Sequence, residues 1–271
     1  MNLPTTFFGW VAFITEKYGV AFLKGAGTSV YLAVLGTLLG CIIGFLAGTV
    51  RTVPLTREDN LFKRVGMNVV WAIIRFYVWI FRGTPMMVQA MVIFYGAAAV
   101  FGVHFQPLMA GLLVVSINTG AYMCETVRGG IQSIDPGQIE GAKAIGMSHA
   151  RTMVSVVVPQ AFRNIAPQIG NYLVSNIKDT SVLSVITVGE LFYAARSAAG
   201  VYFKYFEVFF VVSCIYLVLT TLANALLHLV ERRMNGPRDY ELVDPASIPE
   251  CRAIAAESSR EKAEREKEAA R

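Results

Sequence analysis

Three ionisable side chains stand in stretches that are otherwise largely apolar: Glu125, Lys178 and Asp179. A charge at membrane depth is costly and normally faces a cavity or another charge. Together the three offer both signs, which suits a zwitterion with its carboxylate and ammonium group. Plainer arrangements use the same residues: Glu125 can pair with Arg128 three positions on, and Lys178 and Asp179 can neutralise each other or sit in an outer loop. Thr180 follows directly. Thr84, Pro85, Met86 and Met87 open a long uncharged stretch and can line the same cavity, although Met86 and Met87 equally suit core packing.

Other chemistries find little purchase. His104, His149 and His228 are scattered without metal-ligand spacing, and no pair of Cys41, Cys124, Cys214 and Cys251 has CxxC spacing, so no metal site is expected. The stretch from Gly141 to Ser148 has the glycine spacing of a phosphate-binding loop, but Met147 stands where the lysine belongs and no strand precedes it. No paired nucleophile and base falls inside an apolar segment, as an intramembrane enzyme would need, and no selectivity-filter motif marks a channel. The net charge of +5 comes from short basic runs between apolar segments rather than from one basic stripe, which argues against nucleic acid.

The elements that must hold these residues are membrane helices. The chain is 55% hydrophobic and 16% charged with a mean hydropathy of +0.51, against about 25% charged for a soluble domain. The fold class expected is an all-α membrane protein with about five transmembrane helices of roughly 20 apolar residues each. Residues 1–24 read as a retained N-terminal lead-in segment, 25–233 as the membrane domain and 234–271 as a charged cytoplasmic tail. Residues 28–50 form an uncharged span in which Gly36, Gly40, Gly44 and Gly48 mark a face for close helix approach. Residues 67–81 carry Arg75 and read as a helix lying at the interface. Residues 83–124 exceed one span and break near Gly102 and Pro107 into a hairpin; 152–177 form a polar, proline-interrupted span, and 208–230 a strong last one. Basic residues cluster after the first, third and last spans, which puts the N-terminus outside and the C-terminus in the cytoplasm.

Between the third and fourth spans lies a polar loop, about 129–152. Pro136 can start a helix and Gly146 can end it in a left-handed cap before a second helix begins. A structured loop of this length exposed between spans points to docking on another protein. Glu140, Ala142, Gly146 and Pro159 stand at the spacing of the EAA loop, and on them the chain resembles the permeases of ABC importers. It departs from the usual pattern at Gly141, commonly alanine, and at Val156 and Val158, commonly Ile and Leu.

Arg82-Gly83-Thr84-Pro85, Ala121-Tyr122 with Glu125, Arg128-Gly129-Gly130, Pro159-Gln160-Ala161 and Lys178-Asp179-Thr180-Ser181 narrow the resemblance to polar amino acid uptake permeases of the histidine and glutamine type. The resemblance implies a bacterial cytoplasmic-membrane protein that pairs with a second permease copy or a related chain. It implies separate ABC ATPase subunits that hold ATP and Mg and receive the segment around Glu140, Gly141, Ala142, Gly146 and Pro159. An extracellular solute-binding protein would deliver the amino acid, this chain being a translocation subunit without a cofactor of its own.

Overall fold

The computed structural model describes residues 3–53, 55 and 60–235; Arg57 of the basic loop and nearly all of the expected tail lie outside the described residues. Helix α1 (Phe7–Val50) starts at Thr6, whose Oγ1 accepts the Gly9 amide at 3.2 Å. Its 44 residues extend about 66 Å, roughly twice the hydrocarbon thickness of a bilayer. The lead-in residues from Phe7 onward are therefore continuous with the first span. Helix α2 (Leu61–Gly83) and helix α3 (Met86–Phe101) are separated only by Thr84 and Pro85. Gly102, at φ +67°, ends α3, and Pro107 opens helix α4 (Pro107–Gln132), so the hairpin turn falls at the expected break.

Next come the short helices α5 (Pro136–Ala144) and α6 (His149–Thr152), then a π-helical turn at Met153–Val157 that feeds α7 (Val158–Asp179). A 3-10 segment at Thr180–Ile186 continues α7 to a bend at Thr187, whose φ of 63° stops it. Helix α8 (Leu191–Tyr202) leaves at 55° to the preceding helix, and α9 (Tyr205–Asn235) closes the described chain. Among the described residues four helices are long and apolar enough to cross a membrane, or five if the bent pair ending in α8 counts as one.

Three sequence expectations change. The first half of the expected hairpin is α3, whose 16 residues are shorter than any of the candidate spans. Helix α2 is 23 residues long and by length and composition apolar enough to cross a membrane, where the sequence suggests a helix lying at the interface. It climbs along the bundle: Trp71 Nε1 donates to Val50 O, Tyr77 O–H to Ile117 O, and Phe81 O accepts from Asn118. Arg75 is compatible with both placements, because a long cation can snorkel from a climbing helix as well as from a flat one. The third span also continues to Gln132, past the expected loop boundary.

The frame of the bundle is α1 against α4. A Cβ on Gly40 would lie 2.6 Å from Thr119 Cβ, and one on Gly48 would lie 2.8 Å from the Cys124 carbonyl oxygen. Gly36 and Gly44 meet Val115 and Met123 as closely. Both partners advance by four, so the two helices run parallel with backbones nearly touching. Helix α7 runs the other way, with Ile165 beside Gly130 and Asn176 beside Thr119. The far part of α1 packs on α8 and the start of α9 through Trp10, Ile14, Phe22, Ala195, Ala198 and Val208.

Candidate functional site

A cavity of about 460 Å³ opens where α3 begins, α4 is at mid-length and α7 ends. Its first wall exists because the chain breaks at Thr84-Pro85. The residue before a proline is held extended, and Thr84 sits at φ −123°, ψ 146°. The break leaves carbonyls without helical partners, which a membrane interior does not forgive. Gln89 meets them: its Nε2 lies 2.9 Å from Phe81 O, Thr84 O and Thr84 Oγ1. Asn118 on α4 then donates to Gln89 Oε1 at 2.9 Å. Thr84, Pro85, Met86 and Met87 thus come to the cavity on a fixed backbone.

Helix α4 contributes Asn118, Thr119 and Tyr122, and α7 contributes Tyr172, Ser175, Asn176 and Asp179. Asn176 is buried and donates to Thr37 Oγ1 at 2.8 Å and to Thr119 Oγ1 at 3.0 Å, which ties α7 to both frame helices. Tyr122 and Tyr172 have ring centroids 6.1 Å apart, and the Arg82 guanidinium lies over Tyr122 at 5.4 Å. The Asp179 carboxylate reaches the cavity and makes no hydrogen bond or ion pair among the described residues. A carboxylate in a cavity that also carries two tyrosines and several amide and hydroxyl groups offers an acceptor for an ammonium group and surfaces for its stem.

The other residues singled out from the sequence lie elsewhere. Glu125 sits beyond the cavity lining, clamped between Arg51 at the end of α1 and Arg128 one turn on, the latter at 2.8 Å. The expected alternative of a pair with Arg128 is present, and Arg51 is the partner that sequence spacing does not reveal. Lys178 lines a separate depression with Ser181, Ser213 and Thr220. Thr180 is fully buried and its hydroxyl donates to Ile177 O at 3.0 Å. Sequence reasoning misses Asn118, Tyr172 and Ser175; their only signal is a polar residue at helical spacing within an apolar run.

The segment between α4 and α7 has the geometry its residues dictate. Asp135 caps α5 by accepting the Gly137 amide at 2.7 Å, and Pro136 takes the first helical position, where it lacks only an unneeded donor. At the other end Gly146, φ +80°, completes a Schellman turn in which its own amide bonds Lys143 O and the Met147 amide bonds Ala142 O. Ala142 is buried, whereas Glu140, Gly141 and Ile145 are exposed, Ile145 by 78%. Ile139 and Met153 pack against the cluster that holds Ile134 and Val157, which seats the segment on the π turn before α7. Pro159 is the second residue of α7, directly after the π turn.

Residues 65–236, more than half of the chain, match the family described as the binding-protein-dependent transport system inner membrane component. The chain is 32% identical over 213 residues to the glutamine transport system permease protein GlnP of Escherichia coli (strain K12), covering 78% of this chain and 92% of that one. It is 30% identical over 214 residues to the arginine transport system permease protein ArtQ of Bacillus subtilis (strain 168), covering 79% and 92%. A crystallised amino acid ABC transporter with histidines superposes with a TM-score of 0.73 at 31% identity, over 85% of this chain and 99% of the other.

Proposed function

The chain belongs to the family of inner membrane components of binding-protein-dependent transport systems, and from that premise we propose that it is the translocation subunit of an ABC importer for a polar amino acid. One observation carries the substrate reading: the Asp179 carboxylate, without a hydrogen bond or ion pair among the described residues, in a cavity whose other walls carry hydroxyls, amides, two tyrosines and two methionines. Glutamine and arginine, named for the similar permeases, and histidine, named for the similar structure, share an α-ammonium group that such a carboxylate takes. With Lys178 turned away, the cavity favours cationic and neutral amino acids over acidic ones. Thr84 and Met87 line the wall opposite α7 and contact the stem of the solute; Glu125 acts through the inner end of the bundle by holding α1 to α4.

The energy comes from partner ATPase subunits that hold ATP and Mg. Their docking surface is the exposed side of α5, with Glu140, Gly141 and Ile145, positioned by Ala142, Gly146 and the turn before Pro159. A second permease chain, identical or related, completes the translocation path, and an extracellular binding protein loads it. Support for the orientation is that Arg51, Lys63, Arg64, Arg128, Arg151, Arg232 and Arg233 fall at one end of the helices. That end faces the cytoplasm, with the N-terminus outside.

The test is ATPase turnover of the complex in vesicles, measured with its binding protein and a panel of basic, neutral and acidic amino acids. Stimulation together with uptake of a basic or neutral amino acid is the expected result. Stimulation by acidic amino acids alone would overturn the reading of the Asp179 cavity, and no stimulation by any amino acid would overturn the substrate class. Glu140→Lys should uncouple hydrolysis from uptake while the subunit stays in the membrane; normal coupling in that variant would remove α5 from the mechanism.

A further inference from the structure

We propose that α8 is a lever: it pivots at Glu190, is hinged at Thr187 and Phe203, and its swing moves one wall of the Asp179 cavity. Thr187 (φ 63°) and Phe203 (φ 54°) are the two non-glycine residues of positive φ among the described residues, and they bracket this one helix. The left-handed region suits glycine and strains a β-branched or bulky residue. Packing accounts for neither choice, since Thr187 is exposed and Phe203 is 79% exposed. Strain that side-chain contacts do not offset collects at parts of a protein with more than one setting.

The near end of α8 is pinned. Glu190 is fully buried, and its carboxylate accepts the Phe192 amide at 2.7 Å, the Tyr193 amide at 2.6 Å and the Tyr216 hydroxyl of α9 at 3.2 Å. The Leu191 amide donates to Ser29 Oγ of α1 at 3.4 Å. The far end is held more lightly. Beyond Leu191 the buried face is Ala195, Ala198 and Ala199, so turning the helix about Glu190 uncovers little apolar area there. Its latch is Tyr202, whose hydroxyl accepts from Lys17 Nζ and whose ring lies against Trp10 and Phe13. On the other side of Thr187, the 3-10 segment brings Val182 to the cavity and packs Leu183 and Ile186 with Ala90 and Val114. A turn of α8 therefore passes through Thr187 into a wall of the cavity. The lever rests on the reading of this chain as an importer subunit, whose cycle supplies the two states.

The test uses the assembled complex in vesicles, with Cys41, Cys124, Cys214 and Cys251 replaced by serine. Spin labels are placed at Gly27→Cys on α1 and Gly200→Cys on α8, both exposed and with nothing within 4 Å of an added Cβ. The labelled chain is diluted with unlabelled chain, so that distances within one copy are read. Pulsed electron spin resonance should give one distance without nucleotide and a second with binding protein, ATP and vanadate. At an ATP concentration where both are present, Thr187→Gly should lower the ratio of second to first about fivefold, because glycine removes the strain that favours the swing. Tyr202→Phe loosens the latch and should raise the same ratio about twofold. A single distance under all conditions, or an unchanged ratio in Thr187→Gly, overturns the lever. ATP hydrolysis insensitive to vanadate in the same sample overturns the importer reading, and the lever with it. Should Thr187→Gly not assemble, Phe203→Gly at the other joint decides by the same ratio.

Discussion

Helices α1 and α4 on one side and α7 on the other solve opposite problems with opposite residues. The seam between α1 and α4 is made of glycines against Val115, Thr119, Met123 and Val127, with one charged cluster only at its end. Lipid tails are as apolar as leucine, so burial alone gives such helices no reason to associate; close van der Waals contact does. Helix α7 has two prolines, a π turn before it and a 3-10 segment after it, and it places Asn176, Lys178 and Asp179 in its last turn. Irregular, polar backbone survives in a membrane only where protein or a watered cavity receives it. The frame is thus rigid and mute, and the recognition chemistry sits on the element that departs from regular helix. Asn176 joins the two, since it fastens α7 to Thr37 and Thr119, and Tyr172 adds a 3.0 Å hydrogen bond to Thr126 of α4.

This contrast can be broken at graded cost. Gly44→Leu drives a side chain into Met123 and should cost about 3 kcal/mol or more, read as loss of assembled protein; Gly96→Ala on α3, where a Cβ meets nothing within 4 Å, should leave assembly unchanged. Equal tolerance of both would end the account of the seam. Glu125→Gln strands Arg51 and Arg128, whose partner is 20% exposed; partial solvation limits the loss to about 1–2 kcal/mol in denaturant titration. Asn176→Ala should cost about 1 kcal/mol and should lower uptake more than it lowers the amount of assembled complex, because it frees α7 from the frame. The smallest effect has the other sign. Gly141→Ala on the open face of α5, where a Cβ meets nothing, should stabilise the segment by about 0.5–1 kcal/mol, visible as slower amide exchange there.

What was legible in the sequence was whatever repeats or punctuates locally. The four-residue glycine spacing announced the seam, and Pro136 with Gly146 announced the two ends of α5. The hairpin turn at Gly102 and Pro107 was legible for the same reason. Long-range pairings were not. Nothing near Glu125 in the chain points to Arg51, and nothing near Asn176 points to Thr37. The continuity of α1 was hidden by Glu16, Lys17 and Lys24, which lower its hydropathy while Trp10, Ile14 and Phe22 bury their side of the helix against α8 and α9. The direction in which each of two neighbouring charges points depends on helical phase, so Lys178 and Asp179 read as a single site until the cavities on either side of α7 separated them.

The most direct measurement concerns the free carboxylate. Uptake of basic, neutral and acidic amino acids by the reconstituted complex carrying Asp179→Asn is compared with the unchanged protein at equal assembled amounts and equal basal ATPase turnover. The variant keeps the size of the side chain and removes its charge. Losing a charge-assisted bond of about 1.5–3 kcal/mol to an ammonium group should weaken apparent affinity for basic and neutral amino acids at least tenfold and narrow their advantage over acidic ones. Unchanged affinity and unchanged preference in Asp179→Asn would contradict the assignment of this cavity as the place where the amino acid is held.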